Sequence, residues 1–216
     1  PTAWATVIES SGAVTEDPTN VWSLAVLSGN NQRAIIYTSG VTYTSETYEW
    51  RLQKTVGGSP DSDAGFPQFG FVNTLPTSNL PTPGDAGSPA ANQDAIAFYA
   101  ASTDANTDFR WRLRTDKDGV ATETNLTFAQ VDPATERTYK IAWLSGDAKL
   151  SVDGTERASH TTNVPNGDEA MNIYNASIQF QGPSVPRAYT MRVRVIAAAV
   201  FRRSLAKVLY MRGKRK

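Results

Sequence analysis

The sequence predicts an all-β chain folded as an antiparallel two-sheet sandwich, and three observations carry that prediction. Residues 137–160, RTYKIAWLSGDAKLSVDGTERASH, alternate apolar and polar side chains in short runs broken at Ser145-Gly146-Asp147 and again at Asp153-Gly154. That alternation is the period of a strand with one covered face, and Asp-Gly supplies the positive φ that a two-residue hairpin turn requires. Further runs of strand length recur along the chain between clusters of Gly, Asn, Asp and Ser, whereas helical spacing occurs only near the C-terminus. With 216 residues, 40% hydrophobic and 10% aromatic, the chain can cover the apolar face of this meander with a second sheet. One domain is the default for a sandwich of this length.

In chain order, Val21–Leu27 and Ala34–Tyr37 flank Ser28-Gly29-Asn30-Asn31 and read as two strands joined by a turn. Tyr48–Gln53 alternates strictly, which puts Tyr48, Trp50 and Leu52 inward, and Gly57-Gly58 closes the run. From Gly57 to Asn92 there are six prolines and six glycines, with few β-branched residues outside Phe69-Gly70-Phe71-Val72. Residues 74–93 cannot build a strand of any length, because each proline removes a ladder donor. The stretch is read as a surface contact loop rather than an interdomain linker, since residues 1–73 alone offer too few strands to close a core. Asp94–Ala101 contributes Ile96, Phe98 and Tyr99. Asp108–Thr115 alternates most clearly, with Phe109, Trp111 and Leu113 on one face and Arg110, Arg112 and Arg114 on the other, before a tight turn at Asp116-Lys117-Asp118-Gly119. Trp111-Arg112-Leu113 echoes Trp50-Arg51-Leu52 without a fixed period, which indicates equivalent sandwich positions rather than a repeat. Ala170–Phe180 and Ala188–Phe201 add two strands, the second setting Met191, Val193 and Val195 against Arg192 and Arg194. Ser204 fits an N-cap ahead of Leu205, Val208 and Leu209, one face of a short helix. The expectation is ten to thirteen strands in a sandwich over residues 1–203, then a short helix and basic tail over residues 204–216.

Several of these residues together resemble a known family. Tyr139-x-Ile141-x-Trp143, Lys149-Leu150-Ser151-Val152-Asp153-Gly154, Val193-x-Val195 and a Phe201–Tyr210 segment led by Ser204-Leu205 resemble laminin G-like domains of the concanavalin A-like lectin and glucanase superfold. The resemblance covers residues 137–210, and the first half only by number of strands. It implies a jelly roll of two curved antiparallel sheets. Members of the superfold include lectins, adhesion modules, glycoside hydrolases and viral surface proteins, so the fold alone selects no function. Lys207 stands where that helix usually carries an acid.

Composition removes several chemistries. There is no cysteine, hence neither a disulfide framework nor a thiolate metal site or nucleophile, and His160 is the single histidine. Ser159 beside it points to the opposite face of a strand and cannot be its catalytic partner, so His160 reads as an exposed loop residue. Hydrolases of the superfold carry E-x-D-x-x-E on one strand, which is absent here. The nearest acidic pairs, Glu46 with Glu49 and Asp168 with Glu169, fall near a polar strand face and a turn. The expectation is therefore that the chain is not an enzyme. The N-terminal residues show no basic segment followed by an apolar run, and no stretch reaches the roughly 18 apolar residues of a membrane span. These features predict no membrane partner and a soluble cytoplasmic product, or a virion-surface location if the protein is viral.

Net charge is zero but unevenly placed: residues 1–169 hold all 21 acids and 11 bases, a net −10, and residues 170–216 carry +10. Arg202, Arg203, Lys207, Arg212, Lys214, Arg215 and Lys216 thus form either a solvated end or an arm that docks on an acidic partner, such as a second copy of the chain. Arg51, Arg110, Arg112, Arg114, Arg192 and Arg194 all lie on polar strand faces. Gathered on one sheet they would contact an acidic glycan or a protein; the simpler reading pairs them across strands with Glu49 and Glu123. Nucleic acid is disfavoured by the zero net charge and the lack of a binding motif. No cofactor is expected except calcium, for which Asp104, Asn106 and Asp108 offer hard ligands at alternate positions, although turn chemistry explains them equally well. Trp4, Phe66, Phe69 and Tyr174 are candidate exposed aromatics for stacking on sugars. The resulting expectation is a non-catalytic structural or binding module of a larger assembly, a phage or other virion surface, decoration or fibre-associated protein. The alternative is a lectin-like carbohydrate-binding module, with a glucanase-type hydrolase third.

Overall fold

A computed structural model of the chain describes residues 4–9, 12–17, 21–26, 32–38, 47–56, 66–73, 94–102, 109–127, 131, 135–144, 146–166, 170–179 and 189–199. Within them lie β1 (Trp4–Glu9), β2 (Ala13–Glu16), β3 (Val21–Val26), β4 (Gln32–Thr38), β5 (Thr47–Val56), β6 (Phe66–Val72), β7 (Ala95–Ser102), β8 (Phe109–Lys117), β9 (Val120–Leu126), β10 (Arg137–Leu144), β11 (Asp147–Val152), β12 (Thr155–His160), β13 (Asn172–Gln179) and β14 (Tyr189–Ala199). Sheet A runs β1-β4-β13-β6-β7-β8-β9 and sheet B runs β12-β11-β10-β5-β14-β3-β2. Every strand pairing among the described residues is antiparallel. The proposed helix, the tail from Arg202 and residues 74–93 lie outside the described residues.

The meander forms as its alternation requires. Tyr139, Ile141 and Trp143 of β10 and Leu150 and Val152 of β11 are buried, while Lys140, Leu144 and Lys149 are exposed. Asp153 and Gly154 turn the chain at φ 50° and 79°, as the Asp-Gly pair predicts. Asp153 also fastens β10, accepting from the Thr138 N–H at 2.9 Å and donating its own N–H to the Thr138 carbonyl at 2.8 Å.

Two seven-stranded layers leave one core between them, and aromatic rings dominate it. Phe69 and Phe71 of β6, Phe98 of β7 and Trp111 of β8 meet Tyr139 and Trp143 of β10 across the sandwich. Phe98 stacks on Trp111 at 4.8 Å, Phe98 and Tyr139 lie 5.6 Å apart, and Phe71 and Trp143 lie 5.6 Å apart. Two of these rings have their polar tips bonded: the Tyr139 hydroxyl donates to the Val131 carbonyl at 2.7 Å and Trp143 Nε1 donates to the Pro165 carbonyl at 3.0 Å.

Two turn-and-strand expectations need correcting. The break after Arg114 is shorter than Asp116–Gly119, because β8 continues through Asp116 and Lys117 and only Asp118 and Gly119 turn, at φ 51° and 78°. Asp116 stays in the strand because Arg114, two residues before it on the same face, holds its carboxylate. β9 gives little apolar signal because its inward positions include Thr122 and Thr124. The two W-R-L tripeptides fall on different sheets, β5 in B and β8 in A.

Candidate functional site

Sheet A is buried on both faces. Phe69, Phe71, Phe98, Trp111 and Leu113 face sheet B, yet Gln68, Ala97, Tyr99, Arg114, Asp116 and Tyr174, which alternate with core positions, are buried as well. A charged and aromatic outer face buried to this degree is unusual, since ionised groups are seldom fully buried unless paired.

Register explains how the face assembles. One row across the sheet reads Tyr37, Tyr174, Gly70, Ala97, Arg114 and Glu123, from β4, β13, β6, β7, β8 and β9. Gly70 and Ala97 present almost no side chain between Tyr174 and Arg114. Gly70 has no alternative there: its φ is 151°, and a Cβ would come within 1.9 Å of the Ile96 carbonyl oxygen.

The charges close on one another. Arg114 Nε donates to both Asp116 carboxylate oxygens, at 2.9 and 2.7 Å, and Arg114 Nη1 donates to Glu123 Oε1 at 3.1 Å. Arg112 Nη1 donates to Glu123 Oε2 at 3.1 Å, and the Tyr99 hydroxyl donates to Glu123 Oε1 at 2.6 Å. Burial raises the Asp116 carboxyl above its ordinary range, outweighing the hydrogen bond and charge of Arg114 that lower it. Burial opposes the charge of Arg114, but Asp116 holds it more firmly protonated than a free guanidinium. Tyr99 is pushed up to about 12 by burial and by the Glu123 carboxylate. Tyr174 is raised further, by complete burial and then by the Asp116 charge, and its hydroxyl has no hydrogen-bond partner among the described residues. Arg112 and Glu123 reach solvent, with side-chain exposures of 17% and 30%, and form the open edge of the cluster.

The six arginines separate between the sheets. Arg110, Arg112 and Arg114 belong to β8 of sheet A, whereas Arg51 of β5 and Arg192 and Arg194 of β14 belong to sheet B, where Arg51 and Arg194 are register partners. Arg192 and Arg194 are exposed, and Arg192 lies 4.0 Å from Asp17. The expected pairing with Glu123 holds for Arg112 and Arg114. Asp104, Asn106 and Asp108 lie outside the described residues, among which no group of three or more His, Asp or Glu could hold a metal ion. Of the candidate exposed aromatics, Phe69 is instead a core residue, Trp4 packs against the core and Tyr174 is buried on the outer face. Phe66 lies in β6, with its side chain outside the described residues.

His160 also departs from expectation. It is buried at the end of β12, its Nδ1 2.9 Å from Thr115 Oγ1 and its Nε2 2.9 Å from Thr124 Oγ1, so it ties sheet B to sheet A. Burial lowers its pKa. Ser159 faces the other way, as strand geometry requires. The residue the sequence reading misses is Asp116, hidden in an apparent turn; continuing the period of two from Arg110 through Arg112 and Arg114 places it on the arginine face.

No protein-family model matches the chain, and no curated protein matches it by sequence. Solved structures do match it. A Bacillus licheniformis β-glucanase superposes with a TM-score of 0.61 at 18% identity, over 88% of this chain and 89% of that one. A prokaryotic β-1,3-1,4-glucanase (lichenase) derived from a mouse hindgut metagenome gives 0.58 at 13%, over 88% and 90%. The carbohydrate-binding module CBM66 from Bacillus subtilis gives 0.50 at 10%, over 88% and 92%. The chain has the concanavalin A-like jelly-roll fold. At these identities the likeness is one of fold, and it bears out the resemblance read from the meander. It also overturns the expectation that the chain is not an enzyme, because several of the solved structures it matches are glycoside hydrolases.

Proposed function

We propose that this chain engages a carbohydrate at the outer face of sheet A. The observation that carries the reading is the Tyr174 hydroxyl, fully buried, without a partner among the described residues, and set electrostatically beside Asp116, Arg114 and Tyr99. A buried hydroxyl left unpaired costs about 1–3 kcal/mol, a cost that a ligand hydroxyl would relieve. Sugars offer such hydroxyls, and the cluster supplies donors and acceptors in one place. The β-glucanase, the lichenase and the carbohydrate-binding module that share the fold support this reading over the virion one.

Hydrolysis of the bound carbohydrate is a second reading, favoured by the two carboxyl groups that share Arg114. Glycoside hydrolysis uses one carboxyl kept protonated by its surroundings and a second that acts as base or nucleophile. Asp116 is the buried member of the pair, its carboxyl raised by that burial, and Glu123 is the one at the solvent-facing edge. A glycan array spanning neutral and anionic polysaccharides tests binding, and release of reducing ends from each retained polysaccharide tests hydrolysis. Retention is expected on at least one polysaccharide; its absence across the array sinks the carbohydrate reading. Retention with release of reducing ends that Asp116→Asn abolishes establishes the second reading.

A further inference from the structure

Resting on the carbohydrate reading, we infer that the outer-face cluster selects an uncharged polysaccharide and rejects sulfated or uronic ones. The reason is that its arginines are already committed. Arg112 and Arg114 carry two positive charges, and Asp116 and Glu123 carry two negative ones in direct contact with them. The carboxylate of Asp94, buried nearby, acts on Asp116 as well and tips the balance toward negative. A sulfate or carboxylate entering the cluster would have to take a guanidinium from Asp116 or Glu123. The displaced acid would then stand uncompensated in a site where Asp116 has no solvent exposure, and breaking such a pair is strongly unfavourable.

A sugar hydroxyl meets no such conflict, because it both donates and accepts. Arg112 Nε is a buried donor without a partner among the described residues, and Glu123 beside it is an acceptor at the solvent edge. One hydroxyl can accept from the first and donate to the second, where an anion could only accept and would face the Glu123 carboxylate. The Tyr174 hydroxyl offers a second neutral contact deeper in the cluster. The arginine-bearing face of sheet A, which in the sequence alone reads as a site for acidic glycans, therefore has the opposite preference once its partners are in place.

Affinity electrophoresis tests this with three immobilised polymers: neutral mixed-linkage β-glucan, sulfated κ-carrageenan and uronic polygalacturonate. The expected result is retardation by the neutral polymer at least about tenfold stronger than by either anionic one, changing little between about 50 and about 500 mM salt. Asp116→Asn and, separately, Glu123→Gln each remove one negative charge and should gain salt-sensitive retardation on κ-carrageenan. The second variant lies at the solvent edge and preserves the test if the first does not fold. Salt-sensitive retardation of the unmodified protein by an anionic polymer, equal to or above that by the neutral one, overturns the inference and leaves the carbohydrate reading standing. No retardation by any polymer, here and on the wider array, overturns both.

Discussion

Among the described residues, two buried polar clusters are built on different terms. Between the sheets, His160 meets Thr115 at Nδ1 and Thr124 at Nε2. Thr115 Oγ1 also donates to the Thr162 carbonyl at 3.2 Å, so its single proton is spent there and it must accept from Nδ1–H. That assignment leaves Nε2 as the acceptor of the Thr124 hydroxyl, and the ring is a fully satisfied neutral tautomer. On the outer face of sheet A, by contrast, the arginines are matched by carboxylates but the Tyr174 hydroxyl has no partner among the described residues. A satisfied cluster explains itself through stability, because buried polar groups persist when bonded. An unsatisfied one requires a compensating role, and for this reason the outer face, not the histidine, is the candidate site.

The sharpest way to break the contrast is to add a side chain at Gly70, in the middle of the row that assembles the outer face. Gly70→Ala would place a Cβ 1.9 Å from a backbone oxygen of β7 at a φ of 151°, and no flexible side chain is available to move aside. The expected loss is about 3 kcal/mol or more, read as a lower urea midpoint. An unchanged midpoint would show that β6 and β7 slide apart easily and that the row from Tyr174 to Glu123 is not rigidly held.

The histidine cluster should respond to pH in a way the outer face does not. Burial lowers the folded pKa of His160 below its ordinary value of 6.5, so the unfolded chain takes up the proton first. Stability from this group is therefore complete above about pH 6.5 and declines as pH falls through that value toward the folded pKa, by up to about 1.4 kcal/mol per pH unit. Asp116 runs the other way. Its folded pKa is raised above 3.8, and its contribution is greatest in acid and fades as pH rises. Chemical denaturation of the native protein and His160→Gln between pH 7 and 5 cancels the Asp116 part, which both share. The variant should lose roughly 1–3 kcal/mol at pH 7 and show a flatter profile. Parallel profiles would mean that folding leaves the proton affinity of the ring unchanged, and a native protein gaining on the variant as pH falls would mean that the ring is protonated in the folded state and that the tautomer deduced from Thr115 is wrong.

The fold was legible in the sequence wherever one strand face is apolar. Tyr139, Ile141 and Trp143, or Trp111 and Leu113, announce their strands because their alternation is uninterrupted. β9 does not, because Thr122 and Thr124 occupy its inward positions, Thr124 in service of His160, and a polar residue that is buried looks like one that is not. The arginine face of β8 was visible as a pattern, and so was Glu123 as a partner. Its burial was not, since it depends on Gly70, Ala97 and Tyr174, which reach the same row only through register between strands distant in the chain. Alternation within one strand says which residues share a face, but what covers that face is a property of its neighbours.

The smallest change separates the clusters most cleanly. Tyr174→Phe removes a buried hydroxyl that has no partner among the described residues and keeps the ring beside Gly70. Since no hydrogen bond is lost, stability should stay level or rise by up to about 1 kcal/mol. The comparable change between the sheets, Thr124→Val, strands Nε2 of His160 and should lose roughly 1–3 kcal/mol. Under the carbohydrate reading the Phe variant should also bind its polysaccharide about two- to tenfold more weakly, the equivalent of one neutral hydrogen bond. More stable and less able to bind is the signature of a group kept for its ligand. If thermal melting instead shows Tyr174→Phe losing as much as Thr124→Val, the hydroxyl has a partner in the free protein, and the distinction between the two clusters disappears.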